Sequence, residues 1–575
     1  MNYGQPGAPR PANTGVAARF RRWWPHRQQF AEPWYYQYRG FAVAAVVVLL
    51  ILGGVFVLPP AISRWSCGEA FPWAGIWSDG GECVGVTDGS SSFGSVGSVS
   101  TAPVFSQIAT LNQQDQCPGP QQPATVTIGA LVTLNSLNAG LRGIHELEGF
   151  AAGLYEANLP SSDMSLHCAY RLRLLVAQMG SHEQAAAADA QALVANGVVA
   201  VVGMGLSNQQ SADAAAILNA DHIAMVSDVI TGEGFDQDGS KGDSPNFSGC
   251  QSASTVPGAA PYWQHAWPYF FRVAYRATTQ VNDVLDYLKS LPQPKSQQDF
   301  LVQPTDLGDA YTCSTVPAIE SGLAARRMPG RPQVLDFDTA QAQPTEDSVA
   351  SAICNVANPV TVFYAARAVY LSSLLDDILW DKVNRSCSPA SITIVSQSDA
   401  AQLRIPSVYY EPSRDGVLTS SWVSNGWLRI YYTPLADPNL VGRAGNPQAP
   451  GYTALTGAFT KLGFNQNDLV DGWAIMAYDS VTTVATALGQ ISTVGSSAAP
   501  VPVTGALIQS QILNELGATA RSGAPGADGP ITFGNNGNRT GNGPGVVMLC
   551  PDANPSATPP QTIPVTPGHG GTCPS

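Results

Sequence analysis

Residues 193–218, with the sequence LVANGVVAVVGMGLSNQQSADAAAIL, pass from an apolar run through a glycine-rich turn into an alanine-rich segment. The apolar run at 198–203 (VVAVVG) has the length and composition of a buried strand, and residues 211–218 have the spacing of a helix. A second apolar run, IAMVS, follows at 223–227. A strand, a helix and a strand in this order predict a βαβ unit, which requires a parallel sheet with helices on both faces.

The alternation continues on both sides of this unit. Further strands are predicted at 126–131 and 171–176, with helices from Ile144 and at 182–195. After a break the pattern resumes, and one series of this length favours two sheets rather than one. This second series comprises helices at 279–290, 318–327, 348–356 and 369–380 and strands at 300–302, 334–337, 360–364 and 391–395.

An apolar run without charge, FAVAAVVVLLILGGVFVL, occupies residues 41–58 near the amino terminus. A helix over 41–62 would be close to the thickness of the hydrocarbon core of a bilayer. The sequence therefore predicts one transmembrane helix at 41–62, acting as an uncleaved signal anchor; a cleaved signal peptide is the alternative.

The flanks of this run predict its orientation. Residues 1–40 contain six arginines and one acidic residue, Glu32, whereas the chain as a whole has 28 basic and 42 acidic residues. Since cytoplasmic flanks carry an excess of Lys and Arg, residues 1–40 are predicted to be a basic cytoplasmic tail. The bulk of the chain would then be extracellular, on a single-pass plasma-membrane protein.

Ten cysteines lie beyond the apolar run, which fits an oxidising compartment. Their scattered spacing is not that of a metal site, so disulfide bonds are expected and no metal is predicted. Proximity in sequence suggests the pairs Cys67–Cys83 and Cys550–Cys573, and the pairing of the other six stays open.

Composition places the folded part between two tethers. Residues 63–123 are predicted to be a juxtamembrane linker and residues 552–575 a Pro/Thr-rich tail. The 44% of hydrophobic residues can form more than one core. The acidic balance argues against nucleic acid as a partner.

The order of several segments resembles the type I periplasmic binding proteins, especially the branched-chain amino-acid receptors of ABC transporters. These segments are VTIGALVTLNS, LYEAN, the quoted stretch 193–218, IAMVS, PYFFRVAY, VTVFYAARAVYLSSLLDDIL, AYDSVTTVATAL and GPITFGNNGNRTG. The resemblance covers residues 125–549. It implies an α/β fold of two lobes joined by three crossovers, with a ligand held in the cleft between them. Lobe 1 would contain 124–278 and 436–517, and lobe 2 would contain 279–435 and 529–549.

The resemblance also implies ligand-binding residues in lobe 1. Ser136 lies in the loop after the first strand, and Ser207 and Asn208 follow VVGMGL where a helix begins. Helix amino termini favour carboxylates, although Ser207 could equally be an N-cap. Ser227 and Thr231 follow IAMVS. Asp228 beside them departs from the small or apolar residue expected there, so it could select a cationic or hydroxylated ligand.

In lobe 2 the resemblance implies contacts from Asp306 and Tyr311 in the TDLGDAY turn. It adds Tyr364 at the end of VTVFY and Asp399 in VSQSDAA, where an acid can receive an amino group. The alternatives are a capping role for the acids and a core position for Tyr364. Residues 232–268 form a long insertion that could be a lid carrying aromatic side chains, or an exposed loop held by a disulfide.

Enzyme motifs are incomplete. GLSNQ at 205–209 lacks the second glycine of a nucleophile elbow, and no suitable late histidine follows. GMG at 203–205 lacks the last glycine of a dinucleotide loop. We therefore expect a solute-binding protein without enzymatic activity or cofactor, with an amino-acid or amide-like ligand and an ABC permease as partner. The alternative is a sensor or scaffold that reports lobe closure to a membrane partner.

Overall fold

The computed structural model describes residues 45, 67, 75–114, 123–134, 136, 138–160, 166, 168–239, 265–292, 296–306, 308–328, 331–405, 425–441, 449–494, 501–517, 523–551 and 559–573. Elements are numbered over these residues, and all lie in the compact unit Ser63–Ser575. No described helix is long and apolar enough to cross a membrane. The run at 41–58 lies outside the described residues except for Ala45, so the anchor stays a prediction.

Two seven-stranded sheets organise the described chain. The first has the order β1-β2-β6-β5-β7-β8-β9, and β6 to β9 run parallel to β5. Two antiparallel strands, β1 and β2, extend its edge. These strands are β1 Ile76–Asp79, β2 Glu82–Thr87, β5 Ala124–Val132, β6 Tyr170–Gln178, β7 Ala200–Gly203, β8 Ala224–Ser227 and β9 Phe270–Arg272.

The second sheet has the order β11-β10-β12-β13-β14-β17-β18. Its first five strands are parallel, and β17 and β18 pair antiparallel at the other edge. These strands are β10 Gln298–Pro304, β11 Gln333–Phe337, β12 Val360–Tyr364, β13 Ile392–Ser396, β14 Leu428–Tyr432, β17 Val547–Leu549 and β18 Thr562–Pro564.

Helices cover both faces of each sheet, as buried parallel strands require. The first lobe uses α1 Ala102–Gln113, α2 Arg142–Asn158, α3 Ala186–Ala195, α4 Gln209–Ala220, α10 Ala449–Leu462, α11 Trp473–Val494 and α12 Gly505–Leu516. The second uses α5 Ala277–Ser290, α6 Ala310–Arg326, α7 Ala342–Cys354 and α8 Ala368–Asn384. The short helix α9 Pro438–Val441 follows β14. Two short hairpins, β3 Ser95–Val96 with β4 Val99–Ser100 and β15 Ala524–Gly526 with β16 Gly529–Ile531, complete the elements.

The parallel strands of both sheets have the same doubly wound order. If the parallel strands of each sheet are counted along the chain, they lie side by side in the order second, first, third, fourth and fifth. The chain passes between the two cores three times, between residues 274 and 281, 432 and 435, and 533 and 546. The predicted two-lobed α/β fold is confirmed.

The segment expected to be a linker is different in the structure. Residues 76–87 pair with the edge of the first sheet, and the buried side chains of Phe105 and Ile108 pack α1 into the first core. At the other end, β18 extends the second sheet within the expected tail. The Gly and Ser content indicated a tether, but a few spaced apolar residues are enough to bury these short elements.

Two further boundaries differ from expectation. Helix α6 begins at Ala310, where Asp309 caps it, and runs through Pro317. The sequence predicts a start at residue 318 for this helix, so the structure adds two turns before it. Strand β16, expected in the second lobe, places Ile531 in the core of the first.

Three disulfides join described cysteines: Cys67–Cys83, Cys354–Cys387 and Cys550–Cys573. The two pairs predicted from proximity are confirmed. Cys168 and Cys313 are disulfide-bonded as well, and no described cysteine is free.

Helices α2 and α11 form the most extensive helix contact of the first lobe. Two glycines of α2 make it possible: a Cβ on Gly149 would collide with the carbonyl oxygen of Ala474, and one on Gly153 would lie 2.7 Å from Cβ of Val481. Because the colliding atom at Gly149 is backbone, the helices would have to move apart to accept any side chain.

We expect Gly149→Ala to destabilise the protein by about 1–3 kcal/mol through overpacking. Gly457→Ala is the matched control, since this exposed glycine of α10 has open space around its Cβ position and alanine favours a helix by about 1 kcal/mol. Differential scanning calorimetry should give a lower melting temperature for the first variant and an equal or higher one for the second. Equal shifts would contradict close packing at Gly149.

Candidate functional site

A cavity lies between the two sheets, at the carboxyl ends of their parallel strands. Doubly wound sheets bind ligands at this edge, because loops diverge there on either side of the first strand. Each lining residue follows a strand or begins a helix. The lining residues are Arg142, Leu206, Val229, Thr231, Tyr311, Arg367, Ser398, Asp399, Leu435 and Trp473.

Arg142 and Trp473 form the wall of the first lobe. Arg142 is the first residue of α2 and fully buried, and its guanidinium lies 4.8 Å from the ring centroid of Trp473. Its Nε and Nη2 donate to the carbonyl oxygens of Ala139 and Asn138. These bonds fix the guanidinium so that Nη1 points into the second lobe.

Asp399 receives that guanidinium from the second lobe. Its Oδ1 lies 2.7 Å from Nη1 of Arg142, and its Oδ2 accepts a hydrogen bond of 2.9 Å from the backbone N–H of Ala368. Asp399 is 6% exposed. The cleft is therefore closed by a buried ion pair between the lobes, and both carboxylate oxygens have partners.

Arg367 is the second cation of the cavity and the N-cap residue of α8. It binds Asp309 through Nη2 (2.7 Å) and Nε (3.2 Å), and Nη2 also donates to the carbonyl oxygen of Ser207 in the first lobe at 3.3 Å. Its guanidinium lies 4.6 Å from the ring centroid of Tyr311. Arg367 thus provides a second bridge between the lobes.

The opposite charges of this site favour the ionised forms of their neighbours. Burial by itself would raise the pKa of Asp399, but Arg142 and Arg367 together lower it below its ordinary value. Burial would lower the pKa of Arg367, and Asp309 and Asp399 raise it instead. Arg367 and Asp399 are therefore both ionised at neutral pH.

A third ion pair supports the wall of the first lobe. Nδ1 of His145, one turn after Arg142 on α2, lies 2.6 Å from Oδ2 of Asp471, whose Oδ1 accepts the backbone N–H of Trp473. Burial would lower the pKa of His145, but Asp471, together with Asp468 and Glu148, outweighs burial and raises it to about 9. A charged His145 therefore holds Asp471, and through it the first turn of α11.

Three residues implied by the resemblance line the cavity: Thr231, Tyr311 and Asp399. Tyr364 does not, since it lies in the second core and its hydroxyl donates to the carbonyl oxygen of Arg367 at 3.3 Å. Asp306 lies in a turn, where Oδ1 accepts the N–H of Gly308.

The serine and asparagine side chains expected to bind a ligand in the first lobe instead accept hydrogen bonds from backbone N–H groups. Ser207 Oγ accepts the N–H groups of Thr231 and Gly232, and Asn208 rather than Ser207 caps α4. Ser136 Oγ accepts the N–H of Asn138, and Ser227 Oγ accepts that of Ile230. None of these four is among the residues that line the cavity.

Asp228 is fully buried beside Glu146 of α2 and is not among the residues that line the cavity. Burial raises the pKa of both groups, to about 7 for Asp228 and well above the ordinary value for Glu146. Two adjacent buried carboxyls are most stable when they share a proton. The expected role of Asp228 in ligand selection does not fit this position.

The described ends of the insertion do not form a lid. Trp267 is 2% exposed and packs with Phe235 and Phe270 in the core on one face of the first sheet. Residues 240–264 lie outside the described residues, so the lid stays a prediction for them.

Sequence reasoning did not identify Arg142, Arg367 or Trp473. Arg367 follows the end of a parallel strand. Since ligands bind at the carboxyl ends of parallel strands, its position in the sequence could have identified it. Arg142 and Trp473 begin helices that are distant in sequence, and only the packing of α2 on α11 brings them together. Among the described residues, no group of three or more His, Cys, Asp or Glu is arranged to hold a metal ion.

The cavity is narrow in this closed conformation. About 260 Å³ within it is not filled by atoms, part of it open to solvent, but the part that can hold the centre of a water molecule is about 10 Å³. That is room for about one water. A larger ligand can enter only when the lobes separate.

No protein-family profile and no curated protein matches the sequence. Solved structures of ABC transporter substrate-binding proteins are similar to it. One is from Desulfitobacterium hafniense in complex with Leu, at 16% identity and a TM-score of 0.48, covering 76% of this chain and 100% of that one. Another is the branched-chain amino acid transporter substrate-binding protein of Streptococcus pneumoniae in complex with isoleucine. It has 14% identity and a TM-score of 0.48, and the match covers 77% of this chain and 99% of that one.

A third is a leucine-binding protein from Thermotoga maritima, at 14% identity and a TM-score of 0.49, covering 76% of this chain and 99% of that one. These proteins are of the family that the sequence resembles. The ligands named in their titles belong to those proteins.

We expect His145→Gln to destabilise the protein most at low pH. A pKa raised from 6.5 to about 9 contributes stability that is fully present below pH 6.5 and is lost as the pH rises through 9. The contribution is on the order of 3 kcal/mol. Urea unfolding at pH 6 and pH 10 measures the free energy of unfolding of the variant and the wild type. The difference between the two proteins should be large at pH 6 and small at pH 10.

Substitution of the exposed His182 by Gln is the control and should leave no comparable gap at either pH. A gap for His145→Gln that is the same at both values would show that the pair with Asp471 is not ionic.

Proposed function

We propose that this chain is a solute-binding protein whose two lobes close over a small molecule. One observation carries the proposal: a polar cavity lies where the carboxyl ends of two doubly wound sheets face each other, and three crossovers join their lobes. This arrangement suits hinge closure around a ligand, because the crossovers can bend while each core stays intact. The cavity provides binding groups, and we propose no catalytic role for them.

We further propose that the protein acts outside the plasma membrane, held by an anchor at residues 41–62, and delivers its ligand to an ABC permease. The apolar run and the arginine-rich residues before it support the anchor and its orientation. The disulfides support an oxidising compartment. The resemblance in sequence favours an amino-acid or amide-like ligand, whereas the cavity itself requires only a small polar molecule.

A sensor or scaffold is the second candidate, and the closed cleft favours it. The Arg142–Asp399 pair and the bond from Arg367 to Ser207 join the lobes directly, through residues of the protein itself. Such a protein would report closure to a membrane partner rather than deliver a solute. The two candidates differ in whether a small molecule changes the population of closed lobes.

A thermal-shift screen of the purified full chain in detergent tests the proposal, with amino acids, amides, peptides, sugars and organic acids as ligands. A ligand at 100 times its dissociation constant adds about 2.7 kcal/mol of stability and raises the melting temperature. We expect Thr231→Ala and Tyr311→Ala to weaken the response to a genuine ligand about tenfold or more. The control Thr456→Ala, at a half-buried position of α10 outside the cavity lining, should respond as wild type does.

Small-angle neutron scattering with contrast-matched detergent then separates the two candidates. A solute-binding protein should become more compact, or change its distance distribution, when a ligand from the screen is added. If no small molecule shifts either the melting temperature or the scattering, the solute-binding function is wrong and the scaffold is favoured.

A further inference from the structure

We propose that the cavity selects a small carboxylic acid that carries no ammonium group. This inference rests on the proposed solute-binding function and names its ligand class. It differs from the amino acid that the resemblance favours, and it follows from which polar atoms of the cavity already have partners.

The charge of the single carboxylate among the lining residues is already paired. Asp399 uses Oδ1 for Arg142 and Oδ2 for the backbone N–H of Ala368. Asp309 lies near but holds Arg367 and caps α6. An ammonium group entering this cavity would therefore have to share Asp399 with Arg142 or displace it.

Displacing Arg142 from Asp399 would be costly. Arg142 is fully buried beside Trp473, and its other partners are neutral: the carbonyl oxygens of Ala139 and Asn138 and the side-chain amide oxygen of Gln402. A guanidinium that loses its carboxylate there stays charged and buried. A ligand ammonium would take Asp399 only at the expense of leaving this charge unpaired.

The polar atoms that remain free favour an anion. Nη1 of Arg367 and the hydroxyls of Thr231 and Ser398 make no hydrogen bond within the described structure, although all three residues line the cavity. A guanidinium N–H and two hydroxyls can together donate to a carboxylate. Neither hydroxyl can replace a carboxylate as the partner of an ammonium.

Apolar side chains line the rest of the cavity. Leu206, Val229 and Leu435 can contact the hydrocarbon part of an acid. The ligand is thus a short hydrocarbon acid bound between Arg367 and these apolar groups, with the Arg142–Asp399 pair intact beside it.

Compounds that carry the same or nearly the same hydrocarbon group but different polar groups test this directly. We would measure binding to the full chain by isothermal titration calorimetry for 4-methylpentanoate, leucine, 3-methylbutylamine and 4-methylpentanamide, and for the shorter set propanoate, alanine and ethylamine. The acid of at least one set should bind at least about tenfold more tightly than its amino acid and its amine. An amino acid or amine that binds as tightly as the matching acid would overturn the ligand class.

Two variants should move the preference in opposite directions. Arg367→Met should weaken binding of the acid at least about tenfold, while Arg142→Met frees Asp399 and should strengthen binding of the amine and the amino acid at least about tenfold. The control Arg173→Met removes a half-exposed arginine that pairs with Asp88 far from the cavity lining, and it should leave all affinities unchanged. Unchanged affinity for the acid in Arg367→Met would overturn the inference.

The comparison of ligands in the wild type needs no variant, so it decides the question even if Arg142→Met does not fold. Failure of the ligand class and failure of the function are distinguishable. Tighter binding of amino acids or amines leaves the solute-binding function standing and overturns the ligand class. If no compound of any class binds the wild type or shifts its melting temperature, both are overturned.

Discussion

The buried ion pair between Arg142 and Asp399 is the contact on which the arrangement of the two lobes depends. Each charge has been removed from water, and neither could stay buried without the other. Because Arg142 begins α2 and α2 is packed closely on α11, the pair connects Asp399 to the whole core of the first lobe. Separation of the lobes must expose both charges to water together.

Other charged pairs occur where the chain passes between the lobes. Nη1 of Arg404 in the second lobe lies 2.9 Å from Oδ2 of Asp437, at the second crossover. Arg539 lies 2.9 Å from Asp528 and donates to the carbonyl oxygen of Val273, joining the first and third crossovers. Charged and polar groups therefore make much of the contact between the lobes, and most apolar side chains lie in separate cores. Ala310 of α6 is an exception, since it packs with a core cluster of the first lobe. A junction that is largely polar can open with little exposure of a core, which suits a hinge.

A cleft that satisfies its own charges changes what a ligand must do. In an open cleft an amino acid would supply both the cation for Asp399 and the anion for the donors. Here the cation is already supplied by Arg142, so a ligand adds stability only through the groups that remain, around Arg367. The same self-pairing gives the closed state some stability without ligand, so the balance between open and closed lobes depends on how much a ligand adds.

The sequence by itself determined the fold class and the edge of the sheets at which the cavity lies. The apolar run at 198–203 and its counterparts are local patterns, and parallel strands with covering helices admit few arrangements. The resemblance to the family also reached Thr231, Tyr311 and Asp399. Two disulfides followed from proximity alone.

Only the tertiary structure decided how these residues are used. Tyr364 and Asp399 both follow strands in the second lobe, but only packing decided that one enters the core and the other the cavity. Arg142 and Asp399 are far apart in sequence, and no local pattern indicates that they meet. Whether Asp399 is free for a ligand therefore depends on a contact between lobes, and such contacts are set by packing and closure rather than by periodicity.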